Sequence, residues 1–426
     1  MKISLKDVRF ILYSAFVSFG TYFCMYAFRK PFTVATFENM VFMGVDFKIL
    51  LIIAQVIGYM LSKFIGIKLI SELPANRRLP YLLGMIGLAE ICLVAFAAMP
   101  KPFNIVMLFL NGLSLGMIWG IVFSYLEGRK FTEILGVALC SSFIVSSGAV
   151  KSVGLLVLNE MHVSESWMPA VTGAFFLVPF ASFAFLLNRI PEPSREDIAL
   201  RAKRVPMTKE NRKKLVGKFL FPLVILVFFY ICLTALRDFR DNFSREIWDA
   251  VGYAGDASIY TLAEIPVAFF VLVLLGSMSL VKKNKKAFIY YHYLLIFGAM
   301  MMCLATFTYQ TQLISPLTWM VLVGFALYIC YVPFNGIFFD RMIAAFRING
   351  NAGFLIYIAD AFGYLGSVTV LLYKNFGQGD LSWLEFFVNS TYIVALLGLV
   401  VAALSLGYFT SKFKTEAPLE HQIHIV

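Results

Sequence analysis

Between Pro191 and Lys218 the chain reads PEPSREDIALRAKRVPMTKENRKKLVGK, its longest polar stretch, and what flanks this stretch decides the fold. Before it lie six apolar runs, near residues 8–28, 48–71, 80–99, 102–125, 132–158 and 167–189. After it lie six more, near 218–240, 256–281, 287–309, 315–339, 350–373 and 386–411. Each run is long enough to cross a hydrocarbon layer of about 30 Å, and charges, prolines or short polar turns separate them. Composition agrees: 60% of the 426 residues are hydrophobic and 14% charged, where soluble domains carry about 25% charged residues. The expected fold is an all-α membrane protein with twelve transmembrane helices in two pseudo-symmetric six-helix bundles, residues 1–190 and 218–411. Residues 191–217 would be a linker, and 412–426 a short disordered tail. Paired halves of six helices suit transporters built from repeats; a polytopic protein without internal symmetry is the alternative.

A net charge of +11 raises the question of nucleic acid. Most of the 36 lysines and arginines, however, fall at the N-terminus, in the even-numbered loops, in the polar stretch and in the tail. That is the positive-inside pattern of a multi-pass protein. The expected partner is therefore a lipid bilayer, the cell's inner membrane, with both termini cytoplasmic and no nucleic acid. The first run has a basic flank like a signal peptide, but its length and the missing small-residue cleavage site make it a retained anchor. All six cysteines lie inside apolar runs, where a thiol is a small packing residue, and no disulfide or zinc spacing is present. The four histidines lie near loops or in the tail, and neither HExxH, GxSxG nor a P-loop occurs. No enzyme, metal or cofactor is expected.

Two arginines stand out. Arg29, in YFCMYAFRKPF (22–32), ends the first run of the first half, and Arg237, in LTALRDFRDNF (233–243), ends the first run of the second. They occupy equivalent depths on the non-cytoplasmic side, against the orientation rule, and a cation placed deeper costs about 2.5–3.5 kcal/mol on insertion scales. An anion held between two facing guanidinium groups would offset that cost, because the planar fork matches phosphate or carboxylate oxygens. The other reading is that both side chains snorkel to the headgroups.

Further polar residues recur at helical spacing inside the runs: Gln55, Tyr59 and Lys63; Ser147 and Lys151; Asp256, Tyr260 and Glu264; Tyr328, Tyr331 and Asn335; Asp360 and Tyr364. Each set projects from one face, and lipid offers its groups no partner. Lys63 lies within the hydrocarbon and marks a binding role by default, as does Lys151 among small neighbours. Glu264, just before Pro266, is either a binding group or an arginine's partner. Glu90 and Asp360 are proton carriers if buried, or simply hydrogen-bonded carboxyls. Asp238, Arg240, Asp241 and Arg245, three and four apart, are expected to form a self-neutralising ladder on one helix.

YFCMYAFRKPF, with SKFIGIKLISE (62–72), GLSLGMIWG (112–120), GFALY (324–328) and FGYLGS (362–367), resembles the organophosphate:phosphate antiporter branch of the major facilitator superfamily, typified by the glycerol-3-phosphate and hexose-phosphate transporters. The resemblance implies the two-bundle major facilitator fold, with Arg29 and Arg237 holding a phosphate on helices that continue outward. It further implies binding roles for Tyr22, Tyr26, Lys30, Lys63 and Tyr364, a structural or coupling role for Glu264, and a loop acid near Glu72. Two departures concern the site: the family's fifth-span histidine corresponds to Val145, and a tyrosine before the second arginine to Thr234. Lys151 and Asp360 are additions. The function these features suggest is alternating-access transport of a small organic anion, a phosphate ester exchanged for phosphate, by a monomer. The alternatives are a ligand-sensing receptor on the same body, or proton-coupled transport through Asp360 or Glu90.

Overall fold

The computed structural model describes residues 4–71, 73–127, 129, 131–194, 197, 209–278, 280–335, 337–346, 353–377 and 380–423. Glu72 lies outside them. The first half contains α1 (Leu5–Met25), α2 (Phe47–Ser71), α3 (Ala75–Ala98), α4 (Ile105–Leu115) with α5 (Ile118–Ser124), α6 (Thr132–Asn159) and α7 (Met168–Asn188). The second contains α8 (Lys209–Asn242), the short α9 (Ser244–Ala250), α10 (Ser258–Met278), α11 (Asn284–Gln310), α12 (Pro316–Tyr331) with α13 (Ile337–Ala345), α14 (Gly353–Leu372) and α15 (Trp383–Ile423). A two-stranded hairpin, Val41–Phe42 with Val45–Asp46, precedes α2. Among the described residues eleven helical spans are long and apolar enough to cross a membrane, and α14 completes the set expected from the sequence. Two boundaries are corrected: α8 begins within the segment expected as linker, and α15 continues to Ile423 through the tail expected to be disordered. α15 is continuous and satisfies its own backbone, so it can outlast the apolar run that anchors it, whereas α8 kinks at Phe219 (φ −127°, ψ 25°), where its polar first part meets the apolar run.

Successive spans run in opposite directions, so the connections alternate between two ends. One end carries both termini and is called the terminal end. The far end carries residues 26–47, 99–104, 160–167, 243–257, 311–315 and 373–382. In the first half α1 packs on α6 and α7, and α3 on α4 and α7; in the second, α8 packs on α14 and α15, and α11 on α12, α13 and α15. The halves meet where α2 lies against α14 and α6 against α10.

Lipid tails are as apolar as leucine, so helices in a membrane associate through close backbone approach at small residues. The α2–α4 contact shows this directly. A Cβ on Gly112 would lie 2.1 Å from the Gln55 carbonyl oxygen, one on Gly58 2.1 Å from that of Phe109, and one on Gly116 2.5 Å from that of Tyr59. The crossing fixes the register of α2, and with it the positions of Gln55, Tyr59 and Lys63. Gly112→Val is therefore expected to lower the melting temperature of the purified protein, because overpacking costs about 1–3 kcal/mol. Gly84→Ala, where an added methyl meets nothing within 4 Å, should leave it unchanged. Equal melting temperatures for the two variants would contradict the close crossing. Between the halves, a Cβ on Gly148 of α6 would lie 2.3 Å from the Tyr260 carbonyl oxygen of α10, so the same device brings the halves together near the far end.

Candidate functional site

The first arginine sits where its helix breaks. Pro31 lacks an N–H, and its ring crowds the carbonyl four residues before it. α1 accordingly stops at Met25, and the chain continues as two 3-10 turns, Tyr26–Phe28 and Pro31–Val34, with Arg29 and Lys30 between them. Carbonyls released inside a membrane need partners. Asn111 Nδ2 donates to the Phe28 oxygen at 3.0 Å, Gln55 Nε2 donates to the Arg29 oxygen at 3.0 Å, and Gln55 and Asn111 bond each other at 2.9 Å. The resemblance implied a helix continuing outward through Arg29; the structure corrects this to a break that two buried amides stabilise.

Arg29 is 4% exposed. Its guanidinium lies 3.8 Å from the Tyr59 ring centroid and 5.9 Å from that of Tyr26, a cation–π arrangement. Its Nε is buried without a hydrogen-bond partner, and among the described residues no carboxylate pairs with it. Arg237, in the helical stretch of α8 that follows its kink at Phe219, stacks 4.4 Å above the Tyr331 ring and donates to the Tyr331 hydroxyl. Unlike Arg29 it has a carboxylate: Nη2 and Nε reach Asp238 Oδ1 at 2.6 and 3.1 Å, and Ser367 Oγ bonds Asp238 Oδ2 at 2.7 Å.

Both arginines line one narrow cleft. Tyr22, Tyr26, Tyr59, Tyr364, Tyr331 and Asn335 form its walls, with Trp119 and Phe143. Gly66, Ile70, Gly120 and Ile356 continue the lining towards the terminal end. Within the cleft Lys63 of α2 pairs with Asp360 of α14 at 2.9 Å. Asp360 also accepts from the Tyr230 hydroxyl at 3.2 Å, and the Tyr59 and Tyr364 rings meet across the halves at 5.1 Å.

Towards the far end the halves are closed by charge. Lys30 and Lys151, both of the first half, converge on Asp241 of the second at 2.5 Å each. Lys30 also reaches Asn242 Oδ1 at 2.8 Å, and Ser147 donates to Asp241. Lys48 pairs with Glu246, and Arg245 Nη1 donates to the Val34 oxygen at 3.2 Å. Near the terminal end, Arg341 of α13 crosses to Glu133 of α6 at 2.8 Å.

The ladder expected along α8 is therefore corrected. Asp238 pairs with Arg237, Arg240 with Glu264 at 2.6 Å, and Asp241 with Lys30 and Lys151; only Arg245, with Asp249 at 2.6 Å, makes the i,i+4 pair that such a ladder needs. Arg240 and Arg245 have these other acids, whereas a buried ammonium without a counterion is costly. Asp241 therefore goes to the two lysines of the opposite half.

Of the residues singled out in the sequence, Arg29, Arg237, Lys63, Tyr22, Tyr26, Tyr364 and Asp360 come together on the cleft. Lys30 and Lys151 meet at Asp241 beside it, and Glu264 lies there with Arg240. Glu90 lies apart: the residue is half-buried, but its Oε2 is buried, has no partner among the described residues and lies 2.2 Å from where a Cβ on Gly173 would fall. Asp256 caps α10 at the far end, outside the spans. The Ser258 hydroxyl and amide donate to it at 2.7 and 2.8 Å and hold its carboxyl below the usual range. Two residues of the site were missed. Tyr230 lies seven residues, two helical turns, before Arg237 and so on the same face. Asp238 is adjacent to Arg237, yet its i+3 spacing suggested the ladder. Thr234 has little space to be larger, because a Cβ on Gly363 would already lie 2.8 Å from its Oγ1.

Residues 31–412 match DUF5690, a family of unknown function. The chain belongs to this family. No curated protein matches it. Among solved structures it is similar to a point mutant of the nucleoside transporter NupG, with 15% identity and a TM-score of 0.59, over 94% of this chain and 100% of that one. It is also similar to a D-xylose-proton symporter, with 16% identity and a TM-score of 0.60, over 93% and 96% of the two chains. A bacterial homologue of the human drug peptide transporters PepT1 and PepT2 matches with 12% identity and a TM-score of 0.62, over 96% and 99%. At these identities the likeness concerns the fold: this DUF5690 member is an all-α, multi-pass membrane protein with the major facilitator architecture.

Proposed function

We propose that the protein is a secondary transporter of a small organic anion, working by alternating access of residues 1–190 against 218–411, and that its cargo is a phosphate ester exchanged for inorganic phosphate. The observation that carries this reading is Arg29: a guanidinium buried in a cleft, stacked on Tyr59, that makes no ion pair with a carboxylate among the described residues and has an unpartnered Nε. Such a group is costly unless something anionic visits it. Arg237 and Lys63 share the cleft, but each already holds an acid. The similar structures, named as transporters of nucleosides, xylose and peptides, fit a transport role. The charge pattern favours cytoplasmic termini in an inner membrane, which makes the cleft cytoplasm-facing, and the twelve-span body suits a monomer.

The test is counterflow. Liposomes containing the protein and unlabelled phosphate are expected to accumulate labelled external phosphate transiently, with glycerol 3-phosphate competing. Absence of exchange, together with exchange of a nucleoside, xylose or a dipeptide in the same vesicles, would overturn the anion assignment.

A further inference from the structure

We propose that Asp360 is a displaceable counterion that carries a proton: the cargo anion takes Lys63 from it, Asp360 becomes protonated, and anion and proton cross together. The proposal rests on the transport reading above and adds what drives the transport.

The geometry around Asp360 is specific. Lys63 from α2 meets it at 2.9 Å, with the two side chains 16% and 12% exposed. From α8 the Tyr230 hydroxyl approaches to 3.2 Å, and that hydroxyl also contacts the Tyr331 hydroxyl and Asn335 Oδ1 at 3.2 Å. Arg237, on the same face of α8, is occupied by Asp238 and Tyr331. On α14 itself Tyr364 is one turn away, with its ring against Tyr59. Among the described residues Lys63 is thus the one cation paired with Asp360, and no second ion pair holds that carboxylate in its ionised form.

The Tyr59 ring lies between this pair and Arg29, which makes no ion pair among the described residues. Arg29 lies over the ring at 3.8 Å and Lys63 Nζ lies 5.5 Å from its centroid. Arg29, Lys63 and Asp360 line the same cleft, so an anion drawn in by Arg29 enters the space where Lys63 holds Asp360, and two anionic groups then compete for one ammonium. When the cargo wins, Asp360 is left in the cleft without a cation, and uptake of a proton relieves the cost of a carboxylate without a counterion. The proton comes from hydronium in the water that reaches the 12% exposed Asp360 side chain and adds to one Asp360 oxygen. Tyr230 can accommodate both states, because a phenol donates to a carboxylate and accepts from a carboxylic acid. On the other side the anion leaves, Lys63 recovers Asp360, and the proton returns to water, so protons and charges balance over the cycle. The emptied carrier has this pair re-formed, so it can reorient without cargo. Net uptake therefore accompanies exchange.

The test uses full-length protein in phosphate-free liposomes at about pH 6 inside and about pH 5 outside, with labelled inorganic phosphate as probe; one coupled proton makes accumulation roughly tenfold per pH unit. Wild type is expected to reach roughly that tenfold level. Asp360→Asn should show no accumulation beyond its equal-pH control while still exchanging phosphate in counterflow at a reduced rate. Asp360→Glu, which restores a carboxylate, should recover gradient-driven accumulation. As a measurement independent of the Asn variant, phosphate added outside wild-type vesicles at equal pH should acidify a trapped pH dye. Accumulation by Asp360→Asn equal to wild type, a wild type that exchanges phosphate but ignores the gradient, or no internal acidification would each overturn the coupling. A wild type without any exchange would overturn the phosphate reading, and the coupling with it.

Discussion

Arg29→Lys and Arg237→Lys are each expected to reduce phosphate counterflow by about 10- to 100-fold, the equivalent of one lost charge-assisted hydrogen bond of about 1.5–3 kcal/mol. Lysine keeps the charge but loses the planar fork that grips two oxygens at once and stacks on an aromatic face. The two variants should also differ. Arg29 has no acid paired with it among the described residues, so its loss should appear mainly as weaker cargo binding. Arg237 is engaged by Asp238 and Tyr331, so Arg237→Lys should additionally disturb contacts within the protein and lower the melting temperature without ligand. Initial exchange rates over a range of phosphate concentrations separate the two effects. Exchange by both variants at the wild-type rate would remove the paired arginines from the site.

The second large effect is expected at the far end. Asp241 binds Lys30 and Lys151 across the halves, and removing one member of a buried charge cluster costs about 3–5 kcal/mol. That energy holds the far end shut, so Asp241→Asn should move the population towards a conformation open there; a gap of about 5.5 kcal/mol is what inverts a 99:1 distribution. Spin labels at Glu160→Cys and Ala254→Cys, on far-end loops of the two halves and in a background lacking the six cysteines, would report the change. The distance distribution is expected to lengthen in Asp241→Asn. An unchanged distribution would show that close helix packing, such as Gly148 against Tyr260, closes the far end without help from charge.

Much of this was readable before any coordinates, because a bilayer imposes strict rules on sequence. Apolar length sets each span, and a cation such as Lys63 inside a span requires a reason. The pairing of Arg29 with Arg237 as cleft residues was legible for the same cause: each ends the first run of its half. What one dimension could not show is which partner a charge chooses. Asp241 has Arg240 and Arg245 close by in sequence, yet it takes two lysines that are far away along the chain. Lys30 looked like Arg29's companion in binding and turned out to belong to that closure. Tyr230 was overlooked because a tyrosine in an apolar run reads as packing; only its depth on α8, beside Asp360, gives it a role. The break at Arg29 was hidden for another reason. Pro31 signals a helix end, but the side-chain amides of Gln55 and Asn111 that stabilise a break come from α2 and α4.

The most direct examination of the central claim is a structure of the protein with arsenate, a phosphate mimic whose arsenic can be located by its anomalous scattering. The account predicts an arsenic peak inside the cleft within hydrogen-bonding reach of both the Arg29 and Arg237 guanidinium groups, with Lys63 drawn from Asp360 towards it. Arsenic bound only at surface lysines, in protein that exchanges phosphate, would contradict it.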